Sequence, residues 1–173
     1  MLLQMIDVNP EIFFSPNIFP SVFGTSLAGL IVVHSDVVFA TLELFRAIVM
    51  HDCLRPNAQG EEYTQWANVI QGVVREQGYS LTGYLLSGMI GDFPEDAITN
   101  VVSIFRVLTT MFPNDMLAWL PGVLQQLPAT SAPTVAKSQF LVNLTKYAVL
   151  VSRDCGYLIR VLQCRQREKL RSS

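Results

Sequence analysis

The side chains able to do chemistry are few, and their spacing limits what they could do. His34 and His51 are the only histidines, and His51 adjoins Asp52 and Cys53. A thiol nucleophile needs a base within hydrogen-bond reach, whereas successive residues on a helix point in different directions. The trio is therefore no preformed nucleophile and base, and the sequence instead predicts a helix-end histidine at the C-terminal dipole. The other two cysteines, Cys155 and Cys164, stand nine apart with no second pair, which fails the zinc patterns. An odd number of cysteines without a CxxC step reads as unpaired thiols in a reducing compartment. Gly83 and Gly88 have the spacing of a phosphate loop, but Met89 and Ile90 stand where Lys and Ser/Thr are required. They read as packing glycines. Asp92, Glu95 and Asp96 form the tightest carboxylate cluster, and capping and dipole interactions at a helix start account for it without acid/base chemistry. Asn143, Leu144 and Thr145 match a glycosylation sequon inside a predicted amphipathic helix of a chain read as intracellular, and no modification is expected there. These residues supply no catalytic group, no metal site and no cofactor site, so the expectation is a binding protein without a cofactor and not an enzyme.

One arrangement invites a binding role. Arg153, Arg160 and Arg167 recur every seven residues and fall on one helix face, thickened by Arg165, Lys169 and Arg171. Arg153, Arg160, Arg165 and Arg167 are the candidate contacts for phosphoserine or acidic side chains, which arginine grips bidentately. A solvated helix end whose cations favour the dipole explains the same residues. The pattern belongs to a wider division. Residues 1–136 hold four Lys+Arg and twelve Asp+Glu, a balance of −8, and residues 137–173 hold eight and two, a balance of +6.

The elements that must carry these groups are set by an apolar excess. Of 173 residues, 50% are hydrophobic and 15% charged, against roughly 25% charged in ordinary globular domains, and mean hydropathy is +0.35. Disorder is excluded. A membrane span is the next possibility, and residues 12–35 are long enough and free of charge. Pro16 and Pro20 break that stretch and Ser15, Asn17, Ser21, Thr25 and Ser26 interrupt it, so no membrane partner is expected. Asp7 and Glu11 sit where a secretory signal would have its apolar core.

The periodicity is helical throughout, and the chain reads as all-α. In residues 94–112, Ile98, Val101, Val102, Phe105, Leu108, Thr109 and Phe112 form one stripe and Thr99, Ser103, Arg106 and Thr110 the opposite one. Asp92, Pro94 and Glu95 mark the start, and Pro113 the stop. Between 36 and 50, Val38, Leu42, Phe45 and Val49 make one apolar row and Val37, Ala40, Leu44 and Ile48 another, with Asp36, Glu43 and Arg46 on a narrow polar stripe. Such a helix needs neighbours on two flanks. Helices are predicted at 2–14 (broken near Pro10), 17–33, 36–52, 61–77, 80–91, 94–112, 114–127, 133–151 and 153–170.

Taken in antiparallel pairs (17–52, 61–91, 94–127 and 133–170), these helices start at intervals of 44, 33 and 39 residues, near the roughly 40 to 47 of HEAT and armadillo units. The expected fold is an α-solenoid of antiparallel HEAT-type helix pairs, about four repeats. A closed helical bundle buries helices on two sides as well. Residues 1–14 read as the remnant of a preceding repeat, because Leu2, Leu3, Met5 and Ile6 follow Met1 with no capping residue, as if cut from a longer solenoid. Their apolar side is expected to be exposed and to self-associate.

Residues 6–33 (IDVNPEIFFSPNIFPSVFGTSLAGLIVV) and 93–128 (FPEDAITNVVSIFRVLTTMFPNDMLAWLPGVLQQLP) resemble the C-terminal HEAT repeats of importin-β-type nuclear transport receptors (karyopherin-β), nearest to the transportin-SR and importin-13-like branch. The likeness runs in order along nearly the whole chain as a pattern of apolar positions and helix ends. It implies the C-terminal cargo-binding or structural segment of a receptor that carries proteins, serine/arginine-rich RNA-binding proteins among them, through nuclear pores under Ran-GTP control. It also implies nucleoporin partners, a Ran contact made by N-terminal repeats outside this chain, no direct nucleic-acid contact, and shuttling between nucleus and cytoplasm. The family's cargo-contacting arginine cluster has no residue-by-residue match here. A HEAT-type scaffold unrelated to transport is the alternative function.

Overall fold

In a computed structural model of the chain, the residues described are 2–32, 34–55, 57–91, 93–128, 136–139 and 141–142. Helices account for the regular structure, and no strand occurs among the described residues. Among the described residues the named α-helices are α1 Leu2–Val8, α2 Pro10–Phe13, α3 Phe19–Gly29, α4 Ser35–Val49, α5 Glu61–Ile90, α6 Ile98–Met111 and α7 Pro113–Gln126, with 3-10 turns at Asp52–Leu54 and Glu95–Ala97. Residues 136–139 and 141–142 are also helical. The chain divides into two compact units, Met1–Leu81 and Thr82–Ser173, with the boundary inside α5.

In the first unit, proline chemistry places the breaks. Pro10 has no N–H to continue α1 and instead opens α2 as its first residue. Pro20 lies in the first turn of α3, where a missing N–H costs nothing. The core of the unit is a run of phenyl rings. Phe13 meets Phe14 edge-on with centroids 5.1 Å apart, Phe14 meets Phe19 at 5.3 Å, Phe19 meets Phe23 at 5.8 Å, and Phe23 meets Phe45 of α4 at 4.9 Å. Edge-to-face pairs at such spacings add about 0.5–1.5 kcal/mol each beyond area burial. Ile70, Val73 and Val74 of α5 are buried in the same unit, and Gln77 Nε2 donates to the Pro20 carbonyl at 3.2 Å. Helices α3 and α4 pack together at a crossing where Gly29 lies against Thr41, so close that a Cβ on Gly29 would overlap the Thr41 hydroxyl.

In the second unit, α6 contributes Ile98, Val101, Ile104, Phe105 and Leu108 to the core, and α7 contributes Met116, Leu120, Val123 and Leu124. The two helices pack against each other and are joined at Phe112, whose extended-to-bridge backbone turns the chain directly into Pro113. From α5 come Leu85, Leu86 and Met89, and the buried Thr82 hydroxyl donates to the Met116 sulfur at 3.8 Å. The turn after α5 folds back on itself. The Phe93 N–H donates to the Gly88 carbonyl at 3.0 Å, and the Phe93 ring occupies the space where a Cβ on Gly88 would lie.

Three expectations are corrected here. Helices predicted at 61–77 and 80–91 form one continuous helix of 30 residues, because the intervening Gly78-Tyr79-Ser80 has no proline and a lone glycine costs a helix only about 1 kcal/mol. Val74 before it and Leu81 and Leu85 after it are fully buried, which outweighs that cost. The element expected as the pair 61–91 is therefore a single helix. The helix predicted from 94 begins at Ile98, preceded by a 3-10 turn. The helix predicted at 17–33 is shorter, since residues 16–18 form a turn before α3 and Leu30 and Ile31 form one after it.

Candidate functional site

His51, Asp52 and Cys53 lie where α4 gives way to the first 3-10 turn. The His51 side chain is not engaged with the end of α4, as the sequence predicts, but caps the turn that follows. Its Nδ1 accepts the Cys53 N–H at 3.2 Å, which leaves the ring proton on Nε2 at neutral charge. The ring stands edge-on to Phe14 at 4.9 Å and to Trp66 of α5 at 6.1 Å. Burial in this aromatic setting lowers its pKa, against the opposing pull of the Asp52 and Asp7 carboxylates. Cys53 is buried, and burial, assisted by Asp52, pushes its thiol up to about 11. Asp52 turns outward to pair with Arg55 at 2.9 Å. The three side chains thus have three separate tasks: a turn cap, a surface ion pair and a buried protonated thiol.

The remaining sequence candidates are structural where they can be seen. Gly83 and Gly88 lie within α5, Gly83 near Val123 and Gly88 against Phe93, so their backbone N–H groups belong to a helix and not to a phosphate loop. Glu95 and Asp96 are exposed in the 3-10 turn ahead of α6, where negative charge favours the helix start. Asp92, the sequon at 143–145, Cys155, Cys164 and the arginines Arg153, Arg160, Arg165 and Arg167 lie outside the described residues. His34 is exposed at the start of α4, and its side chain makes no capping hydrogen bond. Among the described residues no group of three or more His, Cys, Asp or Glu is placed to hold a metal ion, and no helix is long and apolar enough to cross a membrane.

A surface feature of the first unit is built from residues that the sequence treats separately. Of the two apolar rows on α4, Val38, Leu42, Phe45 and Val49 are all buried, and of the second row Leu44 and Ile48 are buried while Val37 and Ala40 are exposed. Helix α1 packs beside α4. Ile6 is in the core, but Leu2 and Leu3 remain 36% and 38% exposed. Leu2, Leu3, Val37, Ala40 and Leu44 line an open groove of about 470 Å³. Two hydroxyls also line it, Ser26 and Thr41, and both are committed to their own helices: Ser26 Oγ donates to the Val22 carbonyl and Thr41 Oγ1 to the Val37 carbonyl, each at 2.7 Å. The groove therefore offers methyl and methylene surface inside, with His34 and Asp36 at its margin. The signal in the sequence was the second row of α4; that α1 would supply the opposite wall follows only from packing.

Compared with known proteins, the chain matches no family model, and no curated protein is recognisably similar to it.

Proposed function

We propose that this chain is a helical protein-binding segment, of the kind found at the C-terminal end of HEAT-repeat nuclear import receptors, and that it acts by presenting helix faces to protein partners without catalysis. The observation that carries the reading is the second unit: residues 93–128, whose pattern resembles that family, fold as two packed helices, α6 and α7, that share one apolar interface. The finer reading is an α-solenoid of HEAT-type pairs that carries cargo, with arginine-rich contacts at Arg153, Arg160, Arg165 and Arg167 and with Ran-GTP and nucleoporins engaged by the larger receptor. A phosphorylated arginine-serine repeat peptide, labelled for fluorescence anisotropy, tests it. Binding that is weakened by the Arg160→Glu/Arg167→Glu pair more than by Arg75→Glu supports cargo recognition. Absence of binding, or equal binding by both variants, removes the cargo reading. The alternative is a HEAT-type scaffold unrelated to transport, and the continuity of α5, where a repeat array would place a helix pair, bears equally on both readings.

A further inference from the structure

The groove between α1 and α4 goes beyond this reading, because the C-terminal arginines assign it no role, and it departs from the expectation that this apolar end packs on a preceding repeat or self-associates. We infer that it is a docking site for a helical segment of a partner protein whose apolar stripe is bordered by lysine or arginine. Three observations converge on that occupant.

Chemically, the interior has little with which to orient a polar ligand. Small-molecule sites owe their specificity to a few convergent polar groups, and here the Ser26 and Thr41 hydroxyls already donate to backbone carbonyls. What remains is an apolar trough walled by Leu2, Leu3 and Val37 and floored by Leu44. Apolar anchors at i, i+3 or i+4, and i+7 on an amphipathic helix fill such a shape.

Electrostatically, the margin is anionic. Among the described residues, Asp36 is the acidic side chain of the lining, none of the lining side chains is an arginine or lysine, and Asp36 is exposed. The surrounding unit reinforces it. Residues 1–81 carry eight Asp+Glu and three Lys+Arg, and two of those arginines are already taken, Arg46 by Glu43 at 3.5 Å and Arg55 by Asp52 at 2.9 Å. A cation beside the apolar stripe of the partner would therefore be attracted to the groove, and a carboxylate repelled.

The same charge argues against a second copy of this chain as the occupant. A two-fold contact brings each patch onto its own equivalent, so the two anionic margins would face each other across the groove.

The test uses the full chain and two labelled 18-residue amphipathic helical peptides, one of leucine and lysine, the other with glutamate replacing lysine. Anisotropy should show the lysine peptide binding and the glutamate peptide not. Asp36→Lys should weaken binding about fivefold or more, the scale of losing one exposed charge pair and gaining repulsion. Glu62→Lys makes the same charge change at an exposed position on α5 and should change binding by less than about twofold on the same scale. Val37→Glu, at a side chain 41% exposed, should abolish binding, and Leu3→Gln should weaken it with both circular dichroism spectra unchanged. Equal losses from Asp36→Lys and Glu62→Lys would reduce the effect to general attraction and overturn the site. Binding of the glutamate peptide, or full binding by Val37→Glu and Leu3→Gln, would overturn it as well. A dimer seen in sedimentation and lost in Val37→Glu would give the groove to a second copy and overturn the inference.

Discussion

Burial turns His51 into a side chain whose protonation the fold resists. Its pKa is lowered in the folded chain, so the unfolded chain binds the proton more readily. The contribution to stability is then complete above the ordinary imidazole value of about 6.5 and is lost as pH falls below it, until the folded form also protonates. Protonation also places a hydrogen on Nδ1, which can then no longer accept the Cys53 N–H. The expected result is a lower urea midpoint at pH 5 than at pH 7.5, with a smaller difference in His51→Asn, which keeps an acceptor and does not titrate. An undiminished difference in that variant would assign the pH dependence to other groups. At neutral pH, His51→Ala should cost about 1–3 kcal/mol, since it removes the ring contacts with Phe14 and Trp66 and leaves the Cys53 N–H without its acceptor. None of this was legible from the residue types. The sequence predicts a histidine at a helix end, which is its location, but the ring's direction depends on Phe14 and Trp66, which are distant in the chain.

Among the elements, α5 gives the clearest separation of local from tertiary effects. Three of its positions predict different outcomes for a small change. Gly72 is exposed with open space around its Cα, so Gly72→Ala should stabilise by about 0.5–1 kcal/mol through backbone entropy alone. Gly88→Ala places a methyl group where the Phe93 ring lies and should destabilise by about 1–3 kcal/mol. Thermal unfolding of the two variants, measured together, should move in opposite directions. Ser80→Pro tests continuity: inside one unbroken helix it should cost about 3 kcal/mol or more, whereas a turn between two helices would accept proline there at little cost. Sequence periodicity found the helices other than α5 to within a few residues, because apolar stripes and proline stops are local signals. It divided α5 at Gly78 because the burial of Val74, Leu81 and Leu85 that holds the helix together there depends on tertiary packing.

At the scale of the molecule, charge is distributed by sequence position: −8 over residues 1–136 and +6 over residues 137–173. An acidic or phosphorylated partner that binds the basic end should do so with salt-sensitive affinity, because exposed charges are screened over about 10 Å at 0.1 M ionic strength. Anisotropy titrations at rising salt should show binding weaken severalfold, and a flat salt profile would place such binding on apolar surface instead.

The sequence by itself determined that the chain is helical, where proline ends its helices, which side of α6 enters a core, and how charge divides along the chain. Each of these depends on residues a few positions apart, whose relation is fixed by the 3.6-residue turn. Only the tertiary structure decided that α5 is one helix, that His51 caps the following turn within an aromatic setting, and that Leu2, Leu3 and Val37 share a groove. Those outcomes depend on which distant side chains meet, and two apolar rows on one helix state that neighbours are needed without stating which helix supplies them.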